Sequence, residues 1–193
     1  VHYDDDDTAR YGIRLEGVFP GRAGDPRSLV RTILEGVPSA LRETGVAGAV
    51  ALVVLPVYTA LWPYFNRPVG PRHFTLDAAR WREILTELLA VAFTEEMFFR
   101  GYVFTRLADA LGVPVNKLSG TTRPDWKCAA QVVALSSLLF AVTHVVVEPT
   151  VARAVVFFPG LLFGALRVWR GGIGAAVVLH ATSNLWERYL EGR

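Results

Sequence analysis

The sequence predicts an all-α protein: a polytopic helical bundle embedded in a membrane, with about five spans or membrane-embedded helices. Apolar residues make up 52% of the 193-residue chain, and the mean hydropathy is +0.32. These values are high for a water-soluble protein and ordinary for a multispanning membrane protein. The apolar residues also form long runs, as helices that cross a bilayer require. Loops rich in Gly, Pro and Arg separate these runs.

The predicted elements are a polar N-terminal segment and five apolar helices. Residues 1–44 form the polar segment, in which apolar side chains keep helical spacing from Leu29 to Val37, as in an amphipathic helix on a membrane surface. Residues 45–193 form the predicted membrane domain. Its helices are predicted at residues 45–65, 81–110, 128–147, 151–169 and 173–190. The last two are short for a hydrocarbon core of about 30 Å, so they are expected to be tilted or partly inserted.

Glycine and proline residues set the predicted helix ends. Gly112 and Pro114 end the second helix, and Pro149 follows the third. A Gly-Gly pair at 171–172 forms the turn between the last two helices. Pro56 lies inside the first helix, where neighbouring helices can replace the hydrogen bond that proline removes.

The charges predict an orientation and argue against a nucleic-acid partner. The chain has 20 Lys and Arg against 18 Asp and Glu, so no strongly basic face is expected. Most Lys and Arg fall on the side that holds the N-terminus and the 106–127 loop, which predicts a cytoplasmic N-terminus. The Arg-, Ala-, Gly- and Val-rich composition favours a bacterium, and hence its plasma membrane. Cys128 is the single cysteine, which excludes an internal disulfide bond.

Glu95, Glu96 and Arg100 lie in the middle of an apolar run, residues 85–107. An unpaired charge at bilayer depth costs about 2.5–3.5 kcal/mol, so such groups usually mark function. On an α-helix Glu96 and Arg100 can pair, whereas Glu95 points about 100° away from Glu96. Glu95 is therefore predicted to be available as a general base, with the pair holding the helix in place. The alternative is an ion-pair cluster that serves packing alone.

Two later apolar runs carry one histidine each. His144 follows Phe140 by four residues, and His180 precedes Asn184 by four, so each pair shares a helix face. Paired hydrogen-bond donors such as the second pair can stabilise an oxyanion. The alternatives are a core histidine at 144 and interhelical hydrogen bonding by the second pair. Both histidines and Glu95 could ligate zinc, but nothing in their spacing requires a metal, and no cofactor is predicted.

These residues resemble the motifs of the CAAX protease and bacteriocin-processing family of glutamic intramembrane proteases. That family is marked by Glu-Glu-x-x-x-Arg, Phe-x-x-x-His and His-x-x-x-Asn or Asp on three successive membrane segments. The chain contains all three in order, at residues 95–100, 140–144 and 180–184. The Pro-Gly-Leu-Leu-Phe-Gly stretch at 159–164 also resembles the family, and the likeness covers roughly residues 85–190.

The resemblance implies an intramembrane endopeptidase that acts on membrane-anchored proteins or peptides. It implies that Glu95 and His144 activate a water molecule without a metal ion. His180 and Asn184 would then bind the oxyanion. Glu96, Arg100 and Phe140 would support these four.

The bilayer and a membrane-anchored substrate are the predicted partners, with C-terminal tail processing or protein sorting in a bacterium as the favoured role. One alternative is a non-catalytic membrane scaffold or a bacteriocin self-immunity protein that keeps the site for structure. Another is a transporter with an intramembrane proton relay, but a transporter should contain repeated halves, and the sequence has no internal repeat.

Overall fold

The computed structural model describes residues 10–13, 29–65, 77–121 and 123–192. Within these residues the regular elements are helices and there are no strands, so the prediction of an all-α helical bundle is confirmed.

The helices form five units along the described chain. The first unit is α1, Leu29–Phe65. The second is a segmented helix, residues 78–110, in which α-helical and π-helical stretches alternate: α2 Ala78–Leu85, π1 Thr86–Ala92, α3 Phe93–Glu96, π2 Met97–Val103 and α4 Phe104–Ala110. A 3-10 turn, Val115–Lys117, leads to the remaining units: α5 Trp126–Val147, α6 Val151–Ala154 with α7 Phe157–Arg170, and α8 Gly174–Glu191.

Helix α1 joins two of the predicted elements. It continues without a break through residue 44 and through Pro38 and Pro56. The predicted boundary between a polar segment (1–44) and a membrane domain (45–193) therefore falls inside one helix, and that division stays a prediction. The side chains of residues 29–35, on which the amphipathic surface helix depends, lie outside the described ones.

By length and composition, three helical stretches among the described residues can cross a membrane. They are Gly36–Tyr64, Trp126–Val147 and Ala152–Arg170. The segmented helix and α8, which carry most of the charged groups, are not among them. These two helices pack against each other and against the spans, and this packing buries the charged side chains of Glu87, Glu96 and Arg100 together with His180.

Aspartate side chains cap the N-termini of two helices, α2 and α5. Asp77 accepts a hydrogen bond from the backbone N–H of Arg80 at 2.8 Å, and Asp125 accepts one from Cys128 at 3.1 Å. Each bond satisfies an amide that the first helical turn leaves without a partner. The Cys128 amide also lowers the pKa of Asp125, since it stabilises the carboxylate form.

Buried Arg167 ties four parts of the chain together. Its guanidinium donates to the carbonyl of Arg100 in π2 at 3.2 Å, of Gly171 after α7 at 2.5 Å and of Arg10 at 3.0 Å. It also donates to the Ser119 hydroxyl at 2.7 Å. A buried arginine with these acceptors is well satisfied, and it holds the backbone of Arg100 against α7.

Helices α5 and α7 approach closely where α7 has glycine. A Cβ atom at Gly164 would lie 2.8 Å from Val133 Cγ1, and one at Gly160 would lie 3.2 Å from the Arg100 guanidinium. Small residues permit such close packing between membrane helices. The close approach places the Gly160 carbonyl within reach of Arg100.

Gly164→Ala is expected to lower the thermal unfolding temperature of the detergent-purified protein. The added methyl group must push α5 and α7 apart, and overpacking of this kind costs about 1–3 kcal/mol. Gly48→Ala in α1 is the matched control, since nothing lies within 4 Å of its added Cβ. That change should be neutral or stabilising, because alanine is the better helix former. Adding Val133→Ala to Gly164→Ala should restore stability, and failure to do so would contradict the assigned contact.

Candidate active site

Three helical units bring five polar side chains into one cluster. Glu95, Glu96 and Arg100 come from the segmented helix, His144 from α5 and His180 from α8. Oε2 of Glu95 lies 3.7 Å from Nε2 of His180 and 3.9 Å from Nε2 of His144. Residues far apart in sequence thus meet around a single carboxylate oxygen.

The cluster has an accessible side and a buried side. The side chains of Glu95 and His144 are 32% and 25% exposed, whereas His180 is 6% exposed and Glu96 and Arg100 are fully buried. Within the exposed pair, Oε2 of Glu95 is itself buried and has no hydrogen-bond partner. This oxygen therefore lies near the Nε2 atoms of both imidazole rings without a hydrogen bond to either.

Glu96 and Arg100 form the ion pair that their spacing predicts. Nη1 of Arg100 donates to Oε1 of Glu96 at 3.0 Å, and Nη2 donates to the Gly160 carbonyl at 3.1 Å. The guanidinium carbon also lies 4.4 Å from the centre of the Phe140 ring and 5.3 Å from that of Phe163. Hydrogen bonds and aromatic faces together compensate a charge that is fully removed from solvent.

The partners of the two histidines determine their tautomers. Nδ1 of His144 lies 2.9 Å from the Phe140 carbonyl, and Nδ1 of His180 lies 2.8 Å from Oε1 of Glu96. Carbonyl and carboxylate oxygens only accept, so both Nδ1 atoms carry hydrogen. The Nε2 atoms, which both lie near Oε2 of Glu95, therefore each present a lone pair when the ring is neutral.

Two phenylalanine rings hold the imidazoles in place. The Phe140 ring packs edge-on against His144 at 4.4 Å between centres, and Phe163 stacks on His180 at 4.8 Å. Phe140 was predicted as a supporting residue. Phe163 was not, although it lies in the Pro-Gly-Leu-Leu-Phe-Gly stretch that resembles the family. Its position next to His180 depends on the packing of α7 against α8.

Asn184 is held in a second polar cluster beside the first. Its Nδ2 donates to Oε2 of Glu87 at 3.1 Å, and Oε1 of Glu87 accepts from Arg188. Glu87 is only 1% exposed. Sequence reasoning missed Glu87, although it is a third carboxylate in the same apolar region, eight residues before Glu95. Counting every charge within the run, rather than the central group alone, would have found it.

The π-helical segment π1 explains why two carboxylates nine residues apart both reach α8. On a regular α-helix, nine steps of about 100° would place Glu87 and Glu96 on opposite faces. A helix with i→i+5 bonds turns each residue by only about 80–85°, so the seven residues of π1 remove roughly 105–140° of that separation. Glu96 then meets His180, and Glu87 meets Asn184 one turn further along α8. The α-helical repeat therefore does not extend through the whole of the second predicted helix, residues 81–110.

Comparison with protein families gives a match over the part of the chain that contains this site. The family model described as type II CAAX prenyl endopeptidase, Rce1-like, matches residues 77–186, which is more than half of the chain. The chain belongs to the Rce1-like family. Comparison with curated proteins gave no match, and neither did comparison with solved structures. Membership of this family and three helices that can cross a membrane make the chain an integral membrane protein of a protease family.

The Rce1-like match covers the first polar cluster and, in the second, both Glu87 and Asn184 but not Arg188. It begins at Asp77, which caps the segmented helix, and it ends at Trp186, just beyond Asn184. In the described part of the chain, no group of three or more His, Cys, Asp or Glu side chains is arranged to hold a metal ion.

Proposed function

We propose that this Rce1-like protein is a glutamic-type intramembrane endopeptidase in which Glu95 activates a water molecule. One observation carries the proposal: a buried carboxylate oxygen without a hydrogen-bond partner lies between the Nε2 atoms of two histidines from two other helices. A general base must lie within hydrogen-bond reach of the proton that it removes.

In this proposal a water molecule bridges Glu95 and His144. At a hydrogen-bond length of about 2.8 Å, one water can reach both Oε2 and Nε2 across the separation of 3.9 Å. Its two hydrogens would be donated to these two acceptors. Glu95 takes one proton as the water oxygen attacks the scissile carbonyl carbon. When the C–N bond breaks, Glu95 returns that proton to the leaving amine.

His180 and Asn184 supply hydrogen bonds to the oxyanion in this proposal. Nδ1–H of His180 is already donated to Glu96, so donation to the oxyanion from Nε2 requires a second proton on the ring. Glu96 offsets the resulting imidazolium charge, just as it offsets Arg100. With Glu95 ionised, two negative and two positive charges balance within the cluster. One oxyanion donor is typically worth about 2.7–4 kcal/mol of barrier.

The proposed substrates are membrane-anchored proteins or peptides that are cut near the bilayer, with C-terminal tail processing or sorting in a bacterium as the role. The family description names prenyl endopeptidases, which act on lipid-anchored chains, and this supports a lipid-anchored substrate class. In this proposal the protein lies in a bacterial plasma membrane with the N-terminus in the cytoplasm.

The alternative function is a non-catalytic scaffold or self-immunity protein. The fully buried Glu96–Arg100 pair would serve a scaffold equally well, since it satisfies packing whether or not Glu95 reacts. The partly exposed Glu95 side chain takes no part in that pair and lies near two histidines, which favours the enzyme. The two functions differ in one measurable property, which is cleavage.

Cleavage by the purified protein in liposomes tests the proposal and its independence of metal. A panel of lipid-anchored peptides is incubated with the protein, and mass spectrometry locates the cut. Cleavage is expected to persist after dialysis against EDTA or 1,10-phenanthroline, because the side chains of His180 and Asn184, and not a metal ion, stabilise the oxyanion in this mechanism. Activity that disappears on chelation and returns with stoichiometric zinc would make His144, His180 and Glu95 metal ligands. A chain that binds these peptides without cutting any would favour the scaffold.

A further inference from the structure

We propose that Glu87 is a positioning residue for Asn184: it fixes the amide group so that an N–H, and not the carbonyl, is available to the oxyanion. This inference rests on the proposed function and adds a residue outside the three sequence motifs. The catalytic mechanism described above does not use Glu87 directly.

Both carboxylate oxygens of Glu87 are engaged by α8. Oε2 accepts from Nδ2 of Asn184 at 3.1 Å, and Oε1 accepts from Arg188, four residues further along the same helix face. The Glu87 side chain is almost completely buried, whereas Arg188 is 44% exposed. A buried carboxylate is costly unless its hydrogen bonds are satisfied, so loss of the contact with Asn184 would leave one buried oxygen of Glu87 unsatisfied.

The contact selects one of two orientations of the Asn184 amide. An asparagine amide can rotate by half a turn and exchange its NH₂ group for its carbonyl oxygen. A carboxylate only accepts hydrogen bonds, so it holds Nδ2 and rejects Oδ1. One N–H of Nδ2 donates to Glu87, and the second N–H on the same nitrogen is then available to the oxyanion. With the amide reversed, a carbonyl would replace that N–H and would repel a developing oxyanion.

The π1 segment gives the contact its geometry. Without the reduced turn per residue, Glu87 would face away from α8 while Glu96 contacts His180. Single π-helical turns inside α-helices occur often at functional sites. Here the segment aligns two carboxylates with two polar residues of α8 that lie one turn apart. A single helix–helix contact therefore positions the side chains of both His180 and Asn184.

Kinetics of four variants test the role of Glu87. Glu87→Gln is expected to lower kcat by about tenfold or more with little change in KM, because glutamine can also donate and so no longer selects the amide orientation. Asn184→Ala should lower kcat by about 10²–10³-fold. Adding Glu87→Gln to Asn184→Ala should cause no further loss, since Glu87 acts through Asn184. Glu87→Asp, which keeps the charge and the acceptor, should retain more activity than Glu87→Gln.

Glu83→Gln is the matched control. Glu83 also pairs with Arg188, at 3.4 Å, but the described hydrogen bonds of Asn184 do not include it. Its replacement removes one negative charge near the same arginine and should leave kcat within about twofold of the wild type. Equal losses from Glu83→Gln and Glu87→Gln, or a full further loss from Glu87→Gln in the Asn184→Ala protein, would overturn the inference.

A second readout does not depend on cleavage. The chain has three asparagines, Asn66, Asn116 and Asn184, so ¹⁵N-asparagine labelling gives few side-chain amide signals, and Asn184→Ala assigns one pair. In the folded protein one Asn184 amide proton should be shifted downfield and exchange slowly, and Glu87→Gln should abolish both properties. If they persist in Glu87→Gln, Glu87 does not position the amide. If they are lost while no peptide is ever cleaved, the proposed function fails and the contact stands.

Discussion

Glu95→Gln is expected to abolish detectable cleavage while leaving the thermal unfolding temperature nearly unchanged. The substitution keeps the size of the side chain and removes the general base, a role that typically contributes 10²–10⁴-fold to the rate. Little stability should be lost, because Glu95 is one-third exposed and its inner oxygen has no hydrogen-bond partner. The measurement is kcat/KM on a lipid-anchored peptide, beside a thermal unfolding curve of the same preparation.

The control for Glu95→Gln is Glu148→Gln. Glu148 lies just after α5 and forms an exposed ion pair with Arg153, so its loss should change neither activity nor stability by much. A Glu95→Gln protein that still cleaves would move the base to another carboxylate. A Glu95→Gln protein that unfolds as readily as a variant of the Glu96–Arg100 pair would place Glu95 in the structural cluster.

Arg100→Ala is expected to produce the largest loss of stability, roughly 3–5 kcal/mol, because it leaves the Glu96 carboxylate buried beside His180 alone. The change also removes the bond to the Gly160 carbonyl and a cation that packs against Phe140. The loss should appear as a lower unfolding temperature and a reduced yield of folded protein in detergent.

Two further variants show whether this loss comes from the uncompensated charge. Arg106→Ala removes an exposed arginine from α4 of the same segmented helix and should be nearly neutral. Arg100→Met combined with Glu96→Gln replaces the pair by uncharged side chains of similar size and should recover much of the stability. Cleavage should not recover with it, since glutamine does not replace the carboxylate that accepts Nδ1–H of His180. An Arg100→Ala protein as stable as Arg106→Ala would contradict the assignment.

Contacts between residues close in sequence could be predicted well. Glu96 and Arg100 are four apart on one helix, and so are Phe140 and His144, whose ring nitrogen bonds the Phe140 carbonyl. Such pairs need only the helical repeat, which apolar patterning already indicates. The all-α class and the family followed from the same local information, because the three motifs are short and lie within single helices.

Contacts between helices could not be predicted in this way. The bond from His180 to Glu96 joins residues 84 apart, and that from Asn184 to Glu87 joins residues 97 apart. Both depend on the angle at which α8 crosses the segmented helix and on the reduced turn of π1, and neither property is a function of local composition. The same holds for Phe163, which reaches His180 only through the packing of α7.

The sequence by itself determined that this protein is helical and membrane-embedded, and which side chains carry its three motifs, because hydropathy and helical spacing are local properties. The tertiary structure alone decided which of those side chains are left free. It adds His180 to the Glu96–Arg100 pair and occupies Asn184 with Glu87. It leaves Oε2 of Glu95, near two histidines, and Oε2 of Glu96 without a hydrogen-bond partner. The physical reason is that a buried polar group takes whichever partner packing brings within about 3 Å.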